Sequence, residues 1–248
     1  MHLHEVAAAR RDAGLVVLEG FHALKHAVRF GGEILGAWTA DAFALDALAR
    51  RLAPDVALPA AQVVDVDALA AVVPRAQVLA VARRPDQPDA RALLALPGPA
   101  PVVLLEEPRH LGNLGACVRV CAAAGAAGVL TTGDQDPWHP DALRGAAGLH
   151  FALPVRRVRA LPDSDRRLIA LDPAGDVLGA HGVLPIPTRA ILAFGTERGG
   201  ISDALLSRAD RRLALAMAPG VSSLNLATSV AAVLYGMQAA SASSLPLS

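Results

Sequence analysis

Three short polar stretches, far apart in the chain, hold the residues best suited to chemistry. The first carries Glu107, His110, Asn113 and Arg119. The second is the glycine-rich run Gly195-Thr196-Glu197-Arg198-Gly199-Gly200, and the third is Ser222-Ser223-Leu224-Asn225. Each follows an apolar run that reads as a strand, over 102–105, 190–194 and 213–217. Glycines at 195, 199 and 200 permit positive φ and let main chain come close to a ligand. In the third stretch a strand, a tight turn and a buried helix over 225–235 bring hydroxyls, an amide and free backbone N–H groups to one point. The small Ala227, Ala231 and Ala232 there let another backbone approach. Taken singly, each stretch also fits ordinary turn chemistry, the third as a serine N-cap ahead of a helix. In parallel α/β sheets, ligands bind beyond the carboxyl ends of strands, so three such ends favour one shared site.

Other chemistries find less support. The glycine run is neither GxGxxG nor GxxxxGK[ST], which argues against dinucleotide and P-loop binding. No GxSxG surrounds Ser223 and no histidine follows it, so a Ser-His-Asp hydrolase is disfavoured. His110 and Glu107 fit a proton-transfer pair or two surface loop residues equally well. The eight histidines show no HExxH spacing. Cys117 and Cys121 share a helix face, but no second pair completes a metal site, and a disulfide at that spacing within a helix is geometrically implausible. They read as small buried residues.

The elements that must position these residues follow from periodicity and breakers. Strands at 16–18, 34–39, 63–64 and 78–82 alternate with helices at 21–28, 43–52 and 67–72, the second with apolar positions Phe43, Ala44, Ala47 and Leu48. This describes a small α/β layer of residues 1–84. Residues 85–100 are rich in proline and read as a linker around a short helix at 89–96. A second unit, 101–248, opens with the continuous apolar run at 102–105, which fits a strand buried on both faces. Helices at 113–125, 141–147 and 203–207 and strands at 128–131, 155, 167–170 and 190–194 follow, with a turn-rich loop Asp172-Pro173-Ala174-Gly175 and a frayed tail at 239–248.

The chain is 53% hydrophobic with a mean hydropathy of +0.40, yet no apolar run approaches the roughly 18–20 residues of a membrane helix. The opening MHLHEVAAARRDAG lacks an apolar signal core, so a cytoplasmic location is expected. A formal net charge of zero argues against non-specific coating of nucleic acid. Lys25 is the sole lysine; arginines, grouped at Arg83-Arg84, Arg156-Arg157 with Arg159, Arg166-Arg167 and Arg211-Arg212, supply the other cations. Arginine forks suit phosphate and stacked bases, and a solvated arginine-biased surface explains any single pair as well.

Together the three stretches resemble the SpoU (TrmH-like) family of RNA ribose 2′-O-methyltransferases. Asn113-Leu114-Gly115-Ala116 with Arg119 and Gly125 resembles the first motif, NxGAxxRxAxxxG, with Cys121 at the alanine position. Phe194 through Gly200 resembles the second, a strand ending in GxExxG, and Met217 through Ser223-Leu224-Asn225 the third. Asp136-Pro137-Trp138 and Arg144-Gly145-Ala146-Ala147-Gly148 are similar to the D-P…R-x-S-x-G stretch, although Ala146 stands where serine is common. Ala216 replaces the usual proline before Met217. The likeness covers 100–236; residues 1–85 resemble, less specifically, the RNA-binding domain fused ahead of this unit.

The resemblance implies an α/β fold whose C-terminal parallel-sheet domain holds a trefoil knot, behind a small α/β RNA-binding domain. It implies S-adenosyl-L-methionine as cofactor, structured RNA (rRNA or tRNA) as substrate, and a homodimer. By position, Phe194, Gly195, Thr196, Gly199, Leu215, Met217 and Leu224 would bind the cofactor. Arg119 would contact the 2′-hydroxyl, with Asn113, Glu197, Ser223 and Asn225 orienting it. A knotted RNA-binding relative without turnover and a small-molecule O-methyltransferase are the competing readings. The intact polar set disfavours the first and the separate N-terminal domain the second.

Overall fold

The computed structural model describes residues 1–74, 76–178, 186–196 and 199–243, the side chains of 242 and 243 excepted. In chain order its elements are α1 (Val6–Ala9), β1 (Leu15–Glu19), α2 (Phe21–Arg29), β2 (Ile34–Thr39), α3 (Ala42–Leu52), β3 (Gln62–Val63), α4 (Val66–Val72) and β4 (Val78–Arg83). Then come α5 (Ala90–Ala95), β5 (Val102–Leu105), α6 (Leu111–Ala123), β6 (Gly128–Thr131), α7 (Pro140–Gly145) and β7 (Val155–Arg157). The last are β8 (Arg167–Val177), β9 (Ala190–Phe194), α8 (Asp203–Leu206), β10 (Arg211–Ala214) and α9 (Leu226–Ser243). No helix among the described residues is long and apolar enough to cross a membrane. The chain divides into two compact units, Met1–Asp86 with Trp138–Ala152, and Gln87–Pro137 with Leu153–Ser248.

In the first unit a four-stranded sheet has the order β1-β4-β2-β3, with β4 antiparallel to β1 and β2, and β3 parallel to β2. Val17, Trp38, Leu69, Leu79 and Val81 form its core with Val6 of α1. On α3 the buried position is Leu45, whereas Phe43, expected on the apolar face, is 79% exposed. Asp41 sets that phase by capping the helix, its Oδ1 accepting from Ala44 N at 2.9 Å.

The segment Trp138–Ala152 joins this unit through specific contacts. Arg144 donates to Glu19 Oε2 at 2.9 Å, and His26 Nδ1 lies 2.7 Å from the Ala147 carbonyl oxygen. Gly148 has φ 76°, and a Cβ there would sit 2.6 Å from the Ala23 carbonyl oxygen, so no other residue fits without moving backbone. Burial pulls the pKa of His26 below its ordinary 6.5, the bond to Ala147 opposing and Lys25, Arg29 and His22 assisting.

The second unit is built on six parallel strands in the order β10-β8-β9-β5-β6-β7. All four residues of β5 are buried, as a strand covered on both faces requires. Val102 and Leu104 share a cluster with Leu93, Leu130, Leu168, Ala170, Ile191 and Ala193, while Val103 and Leu105 face the other side by strand alternation. β8 is longer than its expected span of 167–170. Arg211 and Arg212 of β10 pair with Ile169 and Ala170, and Leu213 then pairs with Asp176, so 172–175 bulge out of both neighbouring ladders. The turn-rich Asp172-Pro173-Ala174-Gly175 is thus an excursion inside the strand. β10 stops at Ala214, leaving Leu215 and Met217 in the following loop rather than in the strand; α9 runs on to Ser243, through part of the tail expected to fray.

Arg166 is buried (4% exposed), and its guanidinium donates to the carbonyls of Leu94, Ala100 and Leu96 at 2.7, 2.8 and 2.9 Å. It ties the proline-rich stretch to the sheet. Arg166→Ala leaves three carbonyls without this donor and should lower the unfolding free energy in urea by about 2–4 kcal/mol. For His26 the folded pKa is depressed, so the unfolded chain binds more protons as pH falls below about 6.5. Its contribution is present at pH 7 and is lost on acidification from there. Melting curves of wild type and His26→Asn between pH 7 and 5 should show a shallower pH dependence in the variant.

Candidate active site

Because every pair in the larger sheet is parallel, the carboxyl ends of β5, β9 and β10 lie at one edge. β5 and β9 are neighbours, and β8 alone separates β9 from β10. At the usual strand spacing, the ends of β9 and β10 are about 10 Å apart.

The loop after β5 turns through an unusual conformation. Glu107 has φ 45°, in the left-handed region that disfavours a side chain, and its N–H donates to Thr132 Oγ1 at 3.0 Å. His110 is the N-cap residue of α6 but forms no side-chain cap. No hydrogen bond or ion pair joins His110 to Glu107 among the described residues, so the structure gives no proton pair there. Farther along α6, Asn113 is half-buried and Arg119 is exposed. Arg119 makes no hydrogen bond or ion pair among the described residues. Cys117 and Cys121 are buried thiols outside any disulfide, and burial pushes the Cys121 pKa up. No group of metal-ligating side chains is found among the described residues.

The loop after β9 closes on itself. Thr196 N donates to Gly200 O at 3.0 Å, and Gly200 N donates to Thr196 O at 3.1 Å. Gly199 N donates to Thr196 Oγ1 at 2.8 Å. A Cβ on Gly195 would lie 2.0 Å from the Gly200 carbonyl carbon, so this closure demands glycine at 195, and Gly200 itself has φ 64°. Glu197 and Arg198 lie outside the described residues. The Phe194 side chain is buried, so only its backbone can face the edge, and its carbonyl accepts from Glu106 N at 2.8 Å.

The Glu106 carboxylate was not among the residues expected at the site. It accepts from Ser202 Oγ–H at 2.6 Å and from Ser202 N–H at 2.7 Å. Of the two consecutive carboxylates, the sequence drew attention to Glu107; the left-handed turn at Glu107 decides which one faces β9.

After β10, Leu215 is half-buried, while Met217, Ser223 and Leu224 are exposed. Asn225, rather than a serine, caps α9: its Oδ1 accepts from Ala227 N at 2.9 Å and from Thr228 N at 3.4 Å. Its Nδ2 donates to Asn113 Oδ1 at 3.1 Å. At the far ends of the same helices, Gln238 Nε2 donates to Ala124 O at 3.0 Å. α6 and α9 therefore lie side by side and run in the same direction. The structure brings Asn113 and Asn225 together across 112 residues of sequence. It places Thr196, Gly199, Leu215, Met217, Ser223 and Leu224 in the loops that follow β9 and β10.

A parallel sheet with these loops at its carboxyl edge is the fold of the SpoU methyltransferases. The crystal structure of AviRb from Streptomyces viridochromogenes in complex with AdoMet superposes with a TM-score of 0.77 at 23% identity, covering 94% of this chain and 93% of that one. A solved RNA 2′-O ribose methyltransferase superposes with a TM-score of 0.75 at 24% identity, covering 96% and 95%. A model of the SpoU rRNA Methylase family matches residues 100–235, and the chain belongs to that family. Among relatives, a 23S rRNA (uridine(2479)-2′-O)-methyltransferase of Streptomyces viridochromogenes is 31% identical over 54% of this chain and 50% of its own length. The 23S rRNA (guanosine(2553)-2′-O)-methyltransferase RlmP of Bacillus subtilis is 33% identical over 65% and 64%. An uncharacterised tRNA/rRNA methyltransferase of Synechocystis sp. is 34% identical over 54% and 51%. The chain thus spans about half to two thirds of the length of these relatives.

The amide pairing can be measured. Asn225→Ala removes both the α9 cap and the bond to Asn113 and should cost about 1–2 kcal/mol of stability. A double-mutant cycle of Asn113→Ala with Asn225→Ala should return a coupling of about 0.5–1.5 kcal/mol; a coupling near zero would mean the two amides do not meet in solution.

Proposed function

We propose that this chain transfers a methyl group from S-adenosyl-L-methionine to a ribose 2′-hydroxyl of structured RNA, rRNA or tRNA. The observation that carries the reading is the Asn113–Asn225 hydrogen bond at the carboxyl edge of the sheet, in a member of a family whose matched relatives include proteins named 23S rRNA 2′-O-methyltransferases.

The residues present fit this cofactor. Leu215, Met217 and Leu224 offer an apolar lining for a purine, and Gly195, Thr196 and Gly199 with the Phe194 backbone offer main chain. The span of about 10 Å between the β9 and β10 ends is the scale of an adenosine. When bound, the cofactor supplies a sulfonium-activated methyl group. A guanidinium offers N–H donors and no acceptor, so Arg119 is given an electrostatic role rather than that of a base. It stabilises the oxygen charge that develops on the ribose and the phosphate beside it. Asn113 and Asn225 hold each other in place, and with Ser223 and Glu197 they orient the hydroxyl for in-line attack. The proton leaves to water or to the Glu197 carboxylate.

Further features belong to the same reading. Residues 1–84 serve as an RNA-binding domain, 85–100 as a linker and 101–248 as the methyltransferase domain. The C-terminal segment forms a trefoil knot. Its support is that α9 follows the edge strand β10 yet packs beside α6, which follows the central β5. The protein is a homodimer, supported by Met217, Val221, Leu224 and Tyr235, which are 36–50% exposed on one loop and helix. It acts in the cytoplasm, where its RNA substrate is made.

Arg119→Ala should lower methyl transfer to RNA at least about 1,000-fold while S-adenosylmethionine affinity, measured by calorimetry, stays within about threefold. Loss of cofactor binding in this variant would overturn the role given to Arg119, and absence of binding in the wild type would overturn the function.

A further inference from the structure

The glycine-rich loop after β9 has two feet, and both stand on one residue. At the first foot, the Glu106 N–H donates to the Phe194 carbonyl at 2.8 Å, where β9 ends. At the second foot, the Glu106 carboxylate takes both the N–H and the Oγ–H of Ser202, at 2.7 and 2.6 Å. Ser202 lies two residues beyond Gly200 and caps α8, its Oγ accepting from Leu205 N at 3.2 Å. Between the feet the chain is pinched by the Thr196–Gly200 pair of hydrogen bonds. Thr196 and Gly200 are therefore held over a base set by Glu106. On its other side, Glu106 continues through the left-handed Glu107 into α6, which bears Asn113 and Arg119.

We infer that Glu106 is a positioning residue that latches the cofactor loop to the start of α6, fixing the distance between cofactor and ribose-activating side chains. The inference rests on the function proposed above. Its physical content is preorganisation: backbone held at both feet loses little freedom when a ligand binds against it, and backbone held at one foot loses more. Removing the carboxylate frees the second foot and leaves the first, a backbone bond within the sheet, in place. Glu106→Ala should therefore fold.

Amide hydrogen exchange on the full chain without ligand should show Thr196 and Gly200 exchanging about tenfold faster in Glu106→Ala than in wild type. Calorimetry should show S-adenosylmethionine binding about tenfold weaker. Glu106→Gln should restore both to within about threefold, because its carbonyl accepts from Ser202 N–H while its amide donates to Ser202 Oγ. Ser202→Ala, which keeps the backbone contact, should fall between. Equal exchange and equal affinity in Glu106→Ala, even with a lower melting temperature, would overturn the inference and leave Glu106 a stability residue. If the wild type fails to bind S-adenosylmethionine, the proposed function falls, and the exchange rates still decide whether Glu106 latches the loop.

Discussion

The Asn225 side chain is the joint on which the site depends, because its amide is committed at both ends. Its oxygen is held by the first N–H groups of α9, which have no partner within the helix. With the oxygen so fixed, the nitrogen has one direction left, and Asn113 Oδ1 occupies it. A serine at 225 would be too short to do both, and an aspartate would need the Asn113 amide to turn and donate. The Asn225 amide ties the start of the last helix to the start of the helix that follows the central strand. Gln238 repeats the tie at the other end of the pair.

Two close approaches of main chain do for the glycine-rich loop what the amide does for the helices. Gly195 passes so near Gly200 that no side chain fits, and Gly175 comes within van der Waals radius of the Arg212–Leu213 peptide, where a Cβ would lie 2.5 Å from the Arg212 carbonyl carbon. The second approach lets β8 return to β10 after its four-residue excursion, so that Leu213 and Ala214 keep a parallel partner in β8. Register and turn chemistry, more than side-chain packing, place the edge residues.

Much of this was legible in the sequence for physical reasons. Strand β5 announces itself as four consecutive apolar residues, the pattern of a strand covered on both faces, and β9 as five. The polar residues at the strand ends stood out against an apolar background. What could not be read were choices made by tertiary contacts. Phe43 and Leu45 are both apolar on α3, and the apolar pattern alone does not say that Leu45 is the one turned inward. Nothing in the pattern of 138–152 ties it to the first unit, since its anchors are a glycine approach to Ala23 and a bond to His26, more than a hundred residues upstream. Glu106 and Glu107 are indistinguishable until the left-handed turn separates them, and Ser202 becomes interesting only once its partner is known.

The arginines show why composition alone understated the site. Many are committed: Arg144 to Glu19 and Asp141, Arg167 to Asp210, Arg189 to Asp165, Arg208 to Asp163, and Arg166 to three carbonyls. Each such pair is neutral at a distance, which is how a chain with a formal charge of zero holds so many cations. Arg119 stands apart from these, exposed on α6 and without a carboxylate or carbonyl partner among the described residues. An arginine already engaged must exchange one partner for another to meet a new anion, and most of the gain cancels. An unengaged one meets an anion at the cost of displacing water alone. The net charge of the chain therefore says little about its attraction for anions; the number of arginines left without a partner among the described residues says more.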